Sequence, residues 1–142
     1  MAMPAMAQNP HFTQGPTCTV SSSTGLTCSG KAAGLGNGPT TAQLTAQSVT
    51  ATYSCQNHGG NIAPGQPVVT QNVSGPTQSI TPHNGQITFS PNIPVPAPPS
   101  AASECPGANW KVVLSNLSYT GVQLTIAQGG STVLQYGPVN VP

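Results

Sequence analysis

Between Leu44 and Cys55 apolar and polar residues alternate in two phases: Leu44 and Ala46 fall on even positions, whereas Val49, Ala51, Tyr53 and Cys55 fall on odd ones. Strict alternation marks a strand with one buried face, and a flip of phase would turn half of these side chains to solvent. One inserted residue cures the conflict. A β-bulge near Gln47-Ser48 is therefore expected, with both apolar sets facing one core.

The same alternation, weaker and shorter, recurs along the chain. Residues 17–22 and 25–29 flank Ser23-Thr24-Gly25 and read as a tight hairpin. The Gly34-Leu35-Gly36-Asn37-Gly38-Pro39 stretch reads as a loop, as does the segment from Gln56 to Gln66. A strand is expected over residues 68–74. Residues 78–80 and 86–89 flank Pro82-His83-Asn84-Gly85, and Asn-Gly suits a type I′ turn, so these pieces read as a hairpin. Residues 91–99 hold five prolines and read as a polyproline II crossing. The most apolar third then forms an expected meander, residues 110–119, 122–128 and 132–136, with turns at Thr120-Gly121 and Gln128-Gly129-Gly130.

No window combines a 3.6-residue apolar period with good helix formers, so the expectation is all-β. About eight or nine short strands with frequent turn signals argue for an antiparallel immunoglobulin-like β-sandwich over residues 17–142. Residues 1–16, with three Met and three Pro and little periodicity, read as an extended N-terminal arm. Ala5-Met6-Ala7 has the small-x-small form of a signal-peptidase site, though no apolar stretch precedes it.

Charge changes this picture more than any motif. The 142 residues contain two Lys, one Glu, no Arg and no Asp, for a formal net charge of +1. Nucleic-acid binding depends on several cations releasing counterions from phosphates, and Lys31 and Lys111 alone form no such stripe. Anionic membrane surfaces are disfavoured as partners on the same ground, and no run approaches the roughly 20 apolar residues that span a bilayer. Near-zero charge also leaves little repulsion between copies, so a homo-oligomer or filament is the expected state.

The same scarcity limits chemistry. One carboxylate, Glu104, cannot form the acid pair of a glycosidase, and the chain has no Gly-x-Ser-x-Gly elbow. No enzyme is expected. His11, His58 and His83 are spaced like no local metal motif and read as turn or surface residues, so no metal or cofactor is expected either. Glu104 with Lys31 or Lys111 supplies the ingredients of a Lys–Asn isopeptide cross-link, which would be seen as a loss of ammonia mass.

Cys18, Cys28, Cys55 and Cys105 contain no Cys-x-x-Cys pair and so read as disulfides rather than a zinc site. Of the three possible pairings, Cys18–Cys28 across the first hairpin and Cys55–Cys105 are preferred, worth roughly 3 and 4 kcal/mol by loop entropy. Disulfides point to export. Asn72-Val73-Ser74 and Asn116-Leu117-Ser118 have the form of N-glycosylation sequons. Trp110, Tyr53, Tyr119 and Tyr136 are candidates for stacking on a sugar, with Trp110 equally readable as core.

Several of these features together resemble a group of small secreted bacterial proteins of actinobacterial type, disulfide-containing β-sandwiches of unknown function. The resemblance rests on Cys18 to Cys28, Gly34-Leu35-Gly36-Asn37, Cys55-x-Asn57-x-Gly59-Gly60-Asn61-x-x-Pro64-Gly65-Gln66, His83-Asn84-Gly85 and Cys105-Pro106, and covers residues 17–136. It implies export and a β-fold and brings no catalytic residues. The function expected is that of a secreted structural protein, an extracellular fibre or coat subunit in which the arm or the Val139-Asn140-Val141 tail adds a strand to a neighbour. The alternative is a monomeric extracellular module that binds polysaccharide or another surface ligand.

Overall fold

A computed structural model describes residues 9–57, 62–96 and 110–142. Its strands, in chain order, are β1 (His11–Ser21), β2 (Gly25–Ala33), β3 (Thr40–Gln56), β4 (Ile62–Ser74), β5 (Gln78–Ile80), β6 (Ile87–Phe89), β7 (Asn92–Ile93), β8 (Lys111–Gln128) and β9 (Ser131–Val141). The described residues contain no helix. One sheet runs β1-β2-β6, with β7 also on β2; the other runs β4-β3-β8-β9, with β5 also on β3. Every pairing is antiparallel.

The two sheets share one core. Leu26, Cys28, Ala32, Ile87, Phe89 and Ile93 come from the first sheet, and Leu44, Val49, Tyr119, Val122, Leu124 and Ile126 from the second. This is the arrangement of a β-sandwich. Both apolar sets of β3 face the core as expected, with Leu44 and Ala46 buried, Gln47 exposed, and Val49, Ala51, Tyr53 and Cys55 buried again, but the expected bulge does not form: β3 keeps its register with both β4 and β8 across Gln47.

The first hairpin also forms as expected, with Cys18 opposite Cys28 and their sulfurs bonded across a Cα–Cα distance of 4.0 Å. Its first strand reaches further back than the sequence suggested. β1 starts at His11, within the segment read as an arm, and residues 11–14 pair with residues 31–33 of β2. Phe12 explains this extension. Its ring packs edge-on against Phe89 at 5.8 Å and Tyr136 at 6.4 Å, apolar contacts that hold β1 to both sheets.

Three local expectations are corrected by the partners the segments find. Thr120-Gly121 is no turn: Gly121, at φ 64°, lets the chain continue, and the two expected strands are one 18-residue β8. The Asn84-Gly85 turn does form, with φ of 54° and 74° and two reciprocal backbone bonds between His83 and Gln86. Its arms, however, do not zip into a hairpin. β5 joins β3 and β6 joins β2, because the long strands offer ladders and a core for Ile87 and Phe89 that a three-residue hairpin cannot. Finally, residues 62–66, expected in a loop, belong to β4, whose position at a sheet edge tolerates Pro64 and Pro67.

Candidate functional site

Edges decide what a neutral β-protein can do with other molecules, because an edge strand carries backbone donors and acceptors with no partner. In the first sheet, β1 is interrupted by Gly15-Pro16, where Gly15 has φ 68° and the register with β2 shifts twice. In the second sheet, β9 is interrupted by Gly137-Pro138 and shows three register shifts against β8. Both strands are irregular. They also lie alongside one another at one side of the sandwich, where Phe12 meets Tyr136.

β4 borders the opposite side of its sheet and differs from both. Among the described residues no strand pairs with its outer edge. From Pro67 to Ser74 it keeps one register with β3, Thr52↔Pro67 through Thr45↔Ser74. Residues 67–72 are all exposed, on both faces of the strand. Val68 lies opposite Ala51 on the inward side yet is 37% exposed, and Val69 opposite Thr50 is 53% exposed. These are the exposed large apolar side chains among the described residues, and no charged residue occurs anywhere in β4.

A second feature crosses the same sheet. Asn72 in β4 has φ 53°, Gln47 in β3 sits at the phase flip, Gly121 in β8 has φ 64°, and Gly137 in β9 has φ 103°. The β3–β8 ladder accordingly skips from Thr45↔Gln123 to Ser48↔Thr120 without losing register. Residues 72, 47 and 121 thus align across β4, β3 and β8, and Gly137 of β9 lies beside Val122, so left-handed residues on three of four neighbouring strands mark one row across the sheet. A side chain on residue 121 would meet the Gln47 side chain at 2.6 Å, so only glycine lets Gln47 lie across this crease. On the outer face the crease opens into a groove of about 340 Å³, lined chiefly by Thr45, Gln47, Asn72, Ser74, Gln123 and Pro138.

The residues singled out in the sequence fall in different places. Tyr53 and Tyr119 are buried in the core, and the Tyr119 hydroxyl donates to the Ile93 carbonyl at 3.3 Å. Burial holds both phenols above their ordinary pKa, in Tyr119 against a lowering backbone hydrogen bond from Leu26. Neither ring presents a face to an external ligand. Tyr136 is half-buried against Phe12, and Trp110 is half-buried ahead of β8. Asn72 and Asn116 are exposed.

Cys55 is disulfide-bonded; Cys105, Glu104 and His58 lie outside the described residues, as does Ala5-Met6-Ala7. Lys31 and Lys111 are exposed, on β2 and at the start of β8. His11 donates from Nδ1 to the Asn9 carbonyl at 2.7 Å, and His83 is exposed in its turn. Among the described residues no group of three His, Cys, Asp or Glu side chains converges as a metal site, and no helix is long and apolar enough to cross a membrane. The β4 edge and the crease were missed in sequence. The available signals were the Val68-Val69 pair and the phase flip at Gln47, but only strand order reveals that the first is an edge and that the second continues into its neighbours.

No family model, curated protein or solved structure matches this chain.

Proposed function

We propose that this chain is a secreted structural protein that self-associates into an extracellular fibre or surface coat, with the β4 edge receiving a strand from a neighbouring copy. The observation that carries the reading is the open, uncharged run at residues 68–71, uninterrupted by Pro or Gly and beginning with the exposed Val68 and Val69. Strand addition satisfies backbone groups without side-chain charge, and fully covering one valine contributes about 1.5–3 kcal/mol. The Cys18–Cys28 bond suits an oxidising, extracellular setting. The strand orders β1-β2-β6 and β4-β3-β8-β9 support the immunoglobulin-like reading, corresponding to A-B-E and C′-C-F-G.

The donor is narrowed by what the chain already uses. The Val139-Asn140-Val141 tail pairs with β8 in its own sheet, with Val141 buried, and residues 11–14 pair with β2. We therefore propose the N-terminal arm of a neighbouring copy as the donor, its first eight residues holding three Met and no charged side chain. A close-packed added strand also requires Asn72, on the same edge, to be free of glycan.

The test compares the full chain with Val69→Lys and with a chain lacking residues 1–8, by light scattering and electron microscopy. The full chain is expected to form concentration-dependent assemblies and both variants to remain monomeric with unchanged melting temperature. A full chain that stays monomeric when concentrated, or a Val69→Lys variant that assembles normally, overturns the proposal. Assembly by the truncated chain alone overturns the donor assignment.

A further inference from the structure

We infer that the crease on the outer face of the β4-β3-β8-β9 sheet is a binding groove for a neutral, polyhydroxylated ligand, a stretch of uncharged glycan chain. The inference is independent of self-assembly. It starts from the backbone: a regular sheet has no reason to align left-handed residues on three of four adjacent strands, and one of them is a non-glycine residue, Asn72, at φ 53°. Such departures cost free energy and persist where the surroundings hold them, often at binding sites. Beside them the outer face holds a concavity of about 340 Å³.

The lining selects the ligand class. Gln47, Asn72 and Gln123 contribute amides, each with donors and an acceptor, and Thr45 and Ser74 contribute hydroxyls. No charged residue lines the groove, so an anionic or cationic ligand would lose hydration there without gaining a counter-charge. Sugar hydroxyls, which both donate and accept, match amide and hydroxyl partners. Pro138 supplies an apolar wall against which the C–H face of a sugar ring can lie.

The surface on either side of the groove suits a chain rather than a single ring. Gln43 lies opposite Thr125 on one side, and Ser48 opposite Thr120 and Thr50 opposite Ser118 on the other, continuing the array of uncharged hydrogen-bonding side chains along β3 and β8. No aromatic residue lines the groove, so affinity rests on hydrogen bonds and is weak per sugar unit.

Isotope-labelled full-length protein, dilute enough to be monomeric, is titrated by NMR with soluble oligosaccharides of glucose, mannose and N-acetylglucosamine. At least one probe is expected to give saturable shifts at the backbone and side-chain amides of Gln47, Asn72 and Gln123. Gln123→Ala should weaken that binding about tenfold, the loss of one amide's donor and acceptor, while Thr88→Ala, exposed on β6 in the other sheet, leaves it unchanged. Absence of saturable shifts with every probe, shifts confined to another surface, or equal binding by Gln123→Ala overturns the inference, whether or not the protein assembles.

Discussion

Tyr119 shows how a single residue ties the core to the pH response of a protein with few other titratable groups. Its hydroxyl donates to the carbonyls of Ile93 and Pro94 at 3.3 and 3.4 Å, long for an O–H donor. Removing it in Tyr119→Phe should therefore cost only about 0.5 kcal/mol at neutral pH, the low end for a hydrogen bond, as read by urea denaturation. Desolvation by burial raises its pKa above the ordinary 10.0. The unfolded chain then loses the phenolic proton first, so stability is fully present below pH 10.0 and falls as pH rises above it. Thermal melts should be flat through the neutral range and decline in alkali, with a shallower decline in Tyr119→Phe.

Asn84-Gly85 carries a second residue-scale prediction, because Asn-Gly turns deamidate when the glycine amide nitrogen attacks the asparagine side chain. Here that amide donates to Asn37 Oδ1 at 3.0 Å and is held away from attack. Asn37→Ala should speed the mass gain of deamidation at Asn84, measured by peptide mass spectrometry; an unchanged rate would show that the bond gives no protection.

Among the elements, strands were legible wherever alternation was local, and illegible wherever identity depended on a partner. The flip between Ala46 and Val49 located the place where β3 changes its buried face, though no bulge forms there because β4 and β8 keep register across it, and Asn84-Gly85 located its turn. The same kind of glycine at Gly121 was misread as a reversal. A positive φ serves a turn or a bulge equally, and the unbroken β3 ladder beside it decides. Strand length failed for the same reason: β3 and β8 stay paired over 17 and 18 residues through polar stretches that alone read as breaks. The burial of Tyr53 was legible in its alternation with Val49 and Ala51, whereas Tyr119, read as a sugar-stacking candidate, is buried, and the groove-lining Asn72 and Gln123 carry no local signature.

β1 is the element most dependent on a covalent tie. It pairs with β2 alone, its register shifts twice, and Cys18–Cys28 joins the two strands. Replacing both cysteines by serine should cost about 3 kcal/mol in urea denaturation. Amide exchange should then accelerate in β1 before it does in β3 or β8; a uniform acceleration would show that β1 does not open separately.

At the scale of the whole molecule, two lysines, one glutamate and a net charge of +1 leave cohesion to apolar burial, backbone pairing and cross-links. Attraction between copies by strand addition should accordingly be nearly insensitive to salt, since there is little charge for it to screen. Light scattering from low to physiological ionic strength should return the same association constant, and a steep salt dependence would point to an electrostatic contact.

Self-association by strand addition to β4 requires this edge to be the one covered in the assembly. Hydrogen exchange of the full chain, compared between dilute and assembled samples, reads this directly. Slowed exchange in residues 68–71 of β4, with β1 and β9 little changed, is the predicted result. Protection confined to β1 or β9, or assemblies in which β4 exchanges as fast as in the dilute protein, would contradict it.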